Sequence, residues 1–283
     1  FSSLPRNSGI ITVGTEEEQK QAMEILRRKP VRTISGVAVV AAMTSPASCP
    51  HGVCVPCPGG PDSEFNSPQS YMGLEPATRR AIRNEYDPYK LVTSRLSQLK
   101  EIGHDVDKAE LIVMGGTFTS RSIDYQEWYT KKCIEAMNDF YDTSWRNNAP
   151  IRNIGITFET RPDWTNTQHI DRILELGATK VEIGVQSVYD FVLSRIKRGH
   201  TVNDTAEANR MLRDSGLKVG FHMMPNLPGM DYERELRGFE RLFDDSRFMP
   251  DYLKIYPTLV TEGTELYKMW ERGEYTALDD DEA

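Results

Sequence analysis

Three of the chain's four cysteines fall within nine residues, Cys49-Pro50-His51-Gly52-Val53-Cys54-Val55-Pro56-Cys57, at the spacing C-x4-C-x2-C. Thiols crowded into so short a loop suit metal ligation in a reducing compartment better than a disulfide framework. Three thiolates can fix three corners of an iron-sulfur cube and leave the fourth iron open to a ligand, whereas an electron-transfer cluster has all its irons held by protein. An open iron implies chemistry on something bound. The alternative is a structural zinc with His51 as fourth ligand, since zinc accepts three cysteines and a histidine. The second Cys or His pair that zinc ribbons and fingers supply is missing, so iron and sulfur are favoured. Cys133, beside Ile134 and Met137 on an expected helix, lies outside this spacing and reads as a small buried hydrophobe.

Such a loop needs a scaffold, and six short apolar or β-branched segments recur along the chain: Val37 to Ala42, Leu111 to Met114, Ile154 to Phe158, Lys180 to Val185, Leu217 to Met223 and Tyr252 to Tyr256. Segments of helical periodicity separate them: Ala77 to Ile102, Asp124 to Tyr141, Thr167 to Leu176, Val202 to Ser215 and Tyr232 to Phe243. Gly103, Gly177 and Gly216 suit helix C-caps. Strands alternating with helices predict a parallel sheet with right-handed crossovers. Side chains alternate across a strand. One face therefore collects Gly155, Thr157 and Glu159, then Glu182, Gly184 and Gln186, then Gly220, His222 and Met224, then Lys254 and Tyr256. A closed eight-stranded barrel would fill that face with bulky branched residues, and an open sheet covered on both sides would read as continuous Val, Ile and Leu. Glycines and polar groups fit instead a partial barrel that keeps a hollow centre, with the cysteine loop at its mouth after the first strand. Within it, Glu159 is expected to pair with Arg161 or another barrel charge, and His222 to be a satisfied core histidine.

The 283 residues carry a formal net charge of -8 and an isoelectric point near 5.3, so no global basic field is available to hold a nucleic acid. A polyanion would need a local patch. Arg27-Arg28-Lys29 at the end of an amphipathic helix predicted from Thr15 to Lys29, joined by Arg32, is one candidate, and Arg79, Arg80 and Arg83 are another. The longest purely apolar run, Val37 to Met43, is too short to span a bilayer, and no leader pattern precedes a cleavage site. A cytoplasmic protein without membrane contact is expected. No Walker A motif or Gly-x-Ser-x-Gly elbow occurs, which counts against a P-loop nucleotidase and an ordinary hydrolase.

The run Lys29 to Val40 leads into Cys49-Pro50-His51-Gly52 and Cys57-Pro58-Gly59-Gly60-Pro61-Asp62-Ser63. Further on come Gln69-Ser70-Tyr71, Tyr86-Asp87-Pro88-Tyr89, Met114-Gly115-Gly116-Thr117-Phe118, Phe158-Glu159-Thr160-Arg161-Pro162-Asp163, Val181 to Ser187, His222-Met223-Met224-Pro225 and Lys254 to Leu259. In this order the motifs closely resemble the catalytic-subunit family of the Elongator complex, over nearly the whole chain. The resemblance implies a radical S-adenosylmethionine (SAM) domain, an α/β fold with a partial (β/α)6 barrel and a 4Fe-4S cluster on Cys49, Cys54 and Cys57. It implies an N-terminal helical extension over residues 1–30 and the barrel domain over 31–283, with the family's C-terminal acetyltransferase-like domain absent from this chain.

In that family the cluster cleaves SAM, and the radical formed takes hydrogen from the methyl of acetyl-CoA, whose carbon adds to the 5-position of the wobble uridine of tRNA and becomes a carboxymethyl group. The resemblance places SAM at Gly115 and Gly116, a pair that alone would read as a tight turn. Glu182 and Gln186 are candidates for the ribose or amino acid part of SAM, against the reading of buried polar groups satisfied by neighbours. It gives Lys108 a catalytic role beside acetyl-CoA, although an isolated lysine is commonly a surface charge. The implied partners are the tRNA anticodon loop, acetyl-CoA, and Elongator-type subunits or a second copy of the chain. The competing functions are a tRNA-binding or assembly module with a structural cluster, and part of a protein lysine acetyltransferase.

Overall fold

The computed structural model describes residues 10, 13–26, 30–140 and 151–278. The basic run Arg27-Arg28-Lys29, the stretch Tyr141 to Pro150 and the acidic Asp279 to Ala283 lie outside the described residues.

The six strands are β1 Ala38–Met43, β2 Lys108–Met114, β3 Arg152–Thr160, β4 Lys180–Gln186, β5 Lys218–Met223 and β6 Tyr252–Ile255. They form one parallel sheet in the order β1-β2-β3-β4-β5-β6. A doubly wound sheet reverses its strand order at a switch point. Strictly sequential order sends every right-handed crossover to the same face and curls the sheet into a half barrel.

The helices are α1 Glu16–Leu26, α2 Pro76–Arg83, α3 Pro88–Glu101, α4 Ile123–Asp139, α5 Thr167–Glu175, α6 Asp190–Arg195, α7 Val202–Asp214, α8 Tyr232–Asp244 and α9 Glu265–Glu271. The stretch predicted as one helix from Ala77 to Ile102 is two. Glu85 and Tyr86 take left-handed conformations (φ 57° and 55°), and Asp87 then caps α3 by accepting from the Lys90 amide at 2.9 Å, with Pro88 at the first helical position. The three glycines expected as C-caps all serve. At Gly177, for example, the Ala178 amide reaches back to the Ile173 carbonyl at 2.9 Å and the Gly177 amide to the Leu174 carbonyl at 2.9 Å, a Schellman motif that only a residue at home at φ +86° closes without strain.

The core lies between sheet and helices. Val40, Leu111, Val113, Ile156, Phe158, Val181, Ile183, Val219 and Phe221, alternate residues of five strands, are buried there against helix residues such as Leu96, Met137, Ile170 and Leu212. Phe118 stacks on Phe158 with ring centroids 4.8 Å apart. The opposite parity, Glu110, Thr157, Glu159, Glu182, His222 and Lys254, faces the concave side. Among the described residues, no helix is long and apolar enough to cross a membrane.

Candidate active site

The cysteine loop leaves the carboxyl end of β1 and is tied down at its middle. Val55 is buried in an apolar cluster with Val192, Ile196, Leu227 and Leu266. Its amide donates to the Ile196 carbonyl at 2.9 Å, and its carbonyl accepts from the Leu266 amide at 3.0 Å. Gly59 allows the return of the chain, because a Cβ there would meet the Tyr71 and Pro68 carbonyl oxygens at 2.3 and 2.4 Å. Cys54 is buried, and Cys49 and Cys57 are half-buried. The Ser70 amide donates to Cys57 Sγ at 3.3 Å, Thr117 Oγ1 lies 3.6 Å from Cys49 Sγ, and Arg198 Nη1 lies 3.7 Å from Cys54 Sγ. Burial raises the Cys49 and Cys57 thiols above the ordinary range.

The two metal readings ask different spacings of these sulfurs. Ligands of one tetrahedral zinc stand about 3.8 Å apart at Zn–S bonds of about 2.3 Å. Among the described residues, the group whose ligand atoms all lie within 4.8 Å of one another is Glu159, Glu182 and His222, not the cysteines. The three thiols are thus not drawn together to the spacing of one zinc ion's ligands. His51 Nε2 is 3.0 Å from Cys54 Sγ but also 3.0 Å from Arg161 Nη1. Burial, then the charges of Arg161 and Arg198, push its pKa down to about 3, and the same cations disfavour a zinc ion on that nitrogen.

Gly115 and Gly116 follow β2 directly and stand beside Cys49 through Thr117. Both have positive φ, 124° and 97°. A Cβ on Gly115 would collide with Thr44 Oγ1 at 2.4 Å, and one on Gly116 would press on Gln69 Cβ at 3.3 Å. The turn is therefore packed backbone-close on Thr44 and Gln69, with the Thr117 that follows it beside Cys49. Gln186 ends β4 at a break in the β4 to β5 register with φ 70°, a conformation uncommon outside glycine that aims its side chain anew. Gly184 leaves room for Arg198, whose Nη2 donates to the Gly184 carbonyl at 2.7 Å. Gln186 Oε1 and Arg198 Nε are buried without hydrogen-bond partners, which a polar ligand between strands and loop would supply.

Below them lies a charged network. Glu182, 2% exposed, receives His222 Nε2 at 3.0 Å and a short ion pair from Lys254, with Lys180 Nζ at 3.6 Å. Burial opposes its charge, yet these donors hold the carboxyl down to about 2. Glu159 faces the same Lys254 at 3.8 Å and accepts from the Tyr71 hydroxyl at 3.3 Å. Burial outweighs His222 and Lys254 there and raises its pKa. The expected pairing of Glu159 is met by Lys254 rather than Arg161, which turns away to Asp163 (3.0 and 3.1 Å). His222 is the satisfied histidine expected.

The three cysteines, the glycine pair and Gln186 are thus gathered at the carboxyl ends of the strands, with Glu182 beneath. Lys108 is not among them. It opens β2, is exposed, and lies seven residues before Gly115, roughly 20 Å along an extended strand. Arg198 and Thr117 carry no ligand-binding signal of their own in the sequence. Arg198 sits in Ile196-Lys197-Arg198-Gly199-His200, which reads as an ordinary basic helix end, and only the fold brings it 144 positions back to Cys54.

A half barrel of six parallel strands with a cysteine loop after the first is the architecture of a class, and the comparisons agree. A family model described as the radical SAM superfamily matches residues 43–238, and one described as the radical SAM C-terminal domain matches 250–283. The chain belongs to the radical SAM superfamily. Within it, the chain is a homologue of Elongator complex protein 3 and its archaeal counterparts. It is 52% identical over 286 residues to the tRNA uridine(34) acetyltransferase of Methanocaldococcus infernus (99% of this chain, 54% of that protein). It is 45% identical over 287 residues to Elongator complex protein 3 of Homo sapiens (97% and 52%). The solved archaeal Elongator protein 3 from Methanocaldococcus infernus, lacking its N-terminus, superposes with a TM-score of 0.71 at 42% identity over 88% of this chain and 52% of that one. Coproporphyrinogen III oxidase of Escherichia coli, 13% identical, shares the fold with a TM-score of 0.53 over 95% and 53%. The chain spans about half the length of the relatives it matches.

Proposed function

We propose that the chain is the radical-generating half of an enzyme that forms the 5-carboxymethyl group on the wobble uridine of tRNA, with a 4Fe-4S cluster and SAM as cofactors and acetyl-CoA as co-substrate. The observation that carries this reading is the Cys49, Cys54 and Cys57 loop, with Cys49 beside Thr117 of the Gly115 and Gly116 turn, in a chain 52% identical to a protein named for tRNA uridine 34. Cys49, Cys54 and Cys57 would hold the cluster, which supplies the electron that cleaves SAM reductively. Gly115 and Gly116 let backbone come up to the methionyl end of SAM, and Gln186 offers its unsatisfied amide oxygen to a donor on the same ligand. Glu182 is already committed to Lys254 and His222, so any contact with SAM is made as part of that network and with its charge retained. Lys108 is assigned to acetyl-CoA on family resemblance; its position suits a part of the coenzyme remote from the acetyl group. Exposed Arg79 and Arg83 on α2 are candidates for phosphates of the tRNA anticodon loop.

The test is 5′-deoxyadenosine release by anaerobically reconstituted full-length protein given reductant, SAM, acetyl-CoA and tRNA. Release that depends on all of these, with carboxymethyluridine in the digested tRNA, is expected. No release would sink the reading. Lys108→Ala should weaken acetyl-CoA use and leave the cluster's absorption intact; unchanged modification would return Lys108 to a surface charge.

A further inference from the structure

Asp163, Arg161, His51 and Cys54 form a line of contacts beneath the metal loop. Arg161 follows β3 and is 2% exposed, the largest fully buried side chain among the described residues. Its Nε and Nη2 hold Asp163 at 3.0 and 3.1 Å, Nη2 also donates to the Arg198 carbonyl at 2.8 Å, and Nη1 lies 3.0 Å from His51 Nε2. That same nitrogen lies 3.0 Å from Cys54 Sγ. Gly199 is what lets the imidazole in, because a Cβ there would meet His51 Cβ at 2.8 Å. Arg198 adds a second guanidinium at 3.7 Å from the sulfur.

Burying a guanidinium is costly even with a carboxylate partner, and replacing such pairs by apolar residues is often neutral or stabilising. Fold stability alone is therefore a poor reason for Arg161 and Asp163 to lie here. Charge offers a better one. A 4Fe-4S core on three thiolates is anionic and gains one further negative charge on reduction, and the potential of such clusters is set by net charge and hydrogen bonds around the sulfurs. A fixed cation behind one ligand favours the reduced state, and the counterion of that cation moderates the effect.

We propose that the fixed charge of Arg161, moderated by Asp163, raises the reduction potential of the cluster from behind His51 and Cys54, an inference that rests on the cluster reading above. The two members of the pair then act with opposite signs, which a merely structural role would not produce. Loosening the loop from either side would move the potential the same way.

The experiment is an EPR-monitored redox titration of the anaerobically reconstituted protein, wild type against Arg161→Gln, Arg161→Lys and Asp163→Asn, with iron and sulfide counted in each. Arg161→Gln should lower the reduced-to-oxidised ratio at fixed potential about tenfold, a shift of about 59 mV for one electron. Asp163→Asn should move it the other way, and Arg161→Lys should stay near wild type. If Arg161→Gln fails to fold, Asp163→Asn decides alone, since Asp163 is only partly buried. An unchanged or lowered potential in Asp163→Asn overturns the proposal. A wild-type protein that binds no cluster overturns the cluster reading itself, and this inference with it.

Discussion

Glu182 sits where removing one charge strands another. Glu182→Gln leaves the Lys254 ammonium with only the more distant Glu159 as a counterion and gives His222 and Lys254 one neutral amide oxygen to share, so a loss of about 3–5 kcal/mol is expected on urea denaturation. The isosteric Gln keeps the packing, so a change under 1 kcal/mol would show that the network is solvated. His200 supplies a pH dependence. It is 5% exposed, and burial, then Arg198 and Arg161, push its pKa down to about 2. The unfolded imidazole takes up a proton below its ordinary pKa of about 6.5 while the folded one stays neutral, so acid favours unfolding. From pH 6.5 to 5 this amounts to about 2 kcal/mol, and His200→Gln should flatten the stability profile over that interval. The cysteines are the most local prediction: Cys54→Ala should abolish iron-sulfur absorption after reconstitution, and retained absorption would remove Cys54 from the ligand set. At this scale the sequence disclosed what is contiguous or periodic. The thiols share one loop, and Glu159, Glu182, His222 and Lys254 share one strand parity. Arg198 and the true partner of Arg161 were hidden because their contacts are made between segments, after the strands have been placed.

Among elements, the glycines at helix ends are where backbone conformation alone sets the energy. Gly216 has φ +79° and open space where a Cβ would stand, so Gly216→Ala should cost about 1–2 kcal/mol purely from the left-handed conformation, read as a lower thermal midpoint. A loss near zero would mean that the turn after α7 relaxes. The strand and helix order was legible because each crossover carries its own period and stop signal. The division of α2 from α3 was not read, although Asp87-Pro88 advertises an N-cap followed by proline, because apolar periodicity continues across it. The short α6 escaped for a related reason: six residues give too little period to see.

For the molecule as a whole, the open arc ends in two strands, β1 and β6, each paired on one side only among the described residues. At β6, Tyr252, Ile255 and Tyr256 are exposed, as is Leu259 just beyond. An exposed apolar edge strand is a liability for edge-to-edge pairing. Ile255→Lys should reduce self-association of residues 1–283 in sedimentation velocity, and an unchanged profile would place any contact elsewhere. If the proposed function holds, tRNA affinity should fall with added salt, because a chain of net charge -8 must rely on local phosphate contacts. The anchoring of Val55 has a different consequence. Its amide and carbonyl bonds to Ile196 and Leu266 owe nothing to the neighbouring thiols, so the middle of the loop has an anchor that does not depend on metal. If the proposed cluster were destroyed by oxygen, Val55 would still be held between Ile196 and Leu266, and rebuilding with iron, sulfide and reductant would start from a loop pinned at its centre.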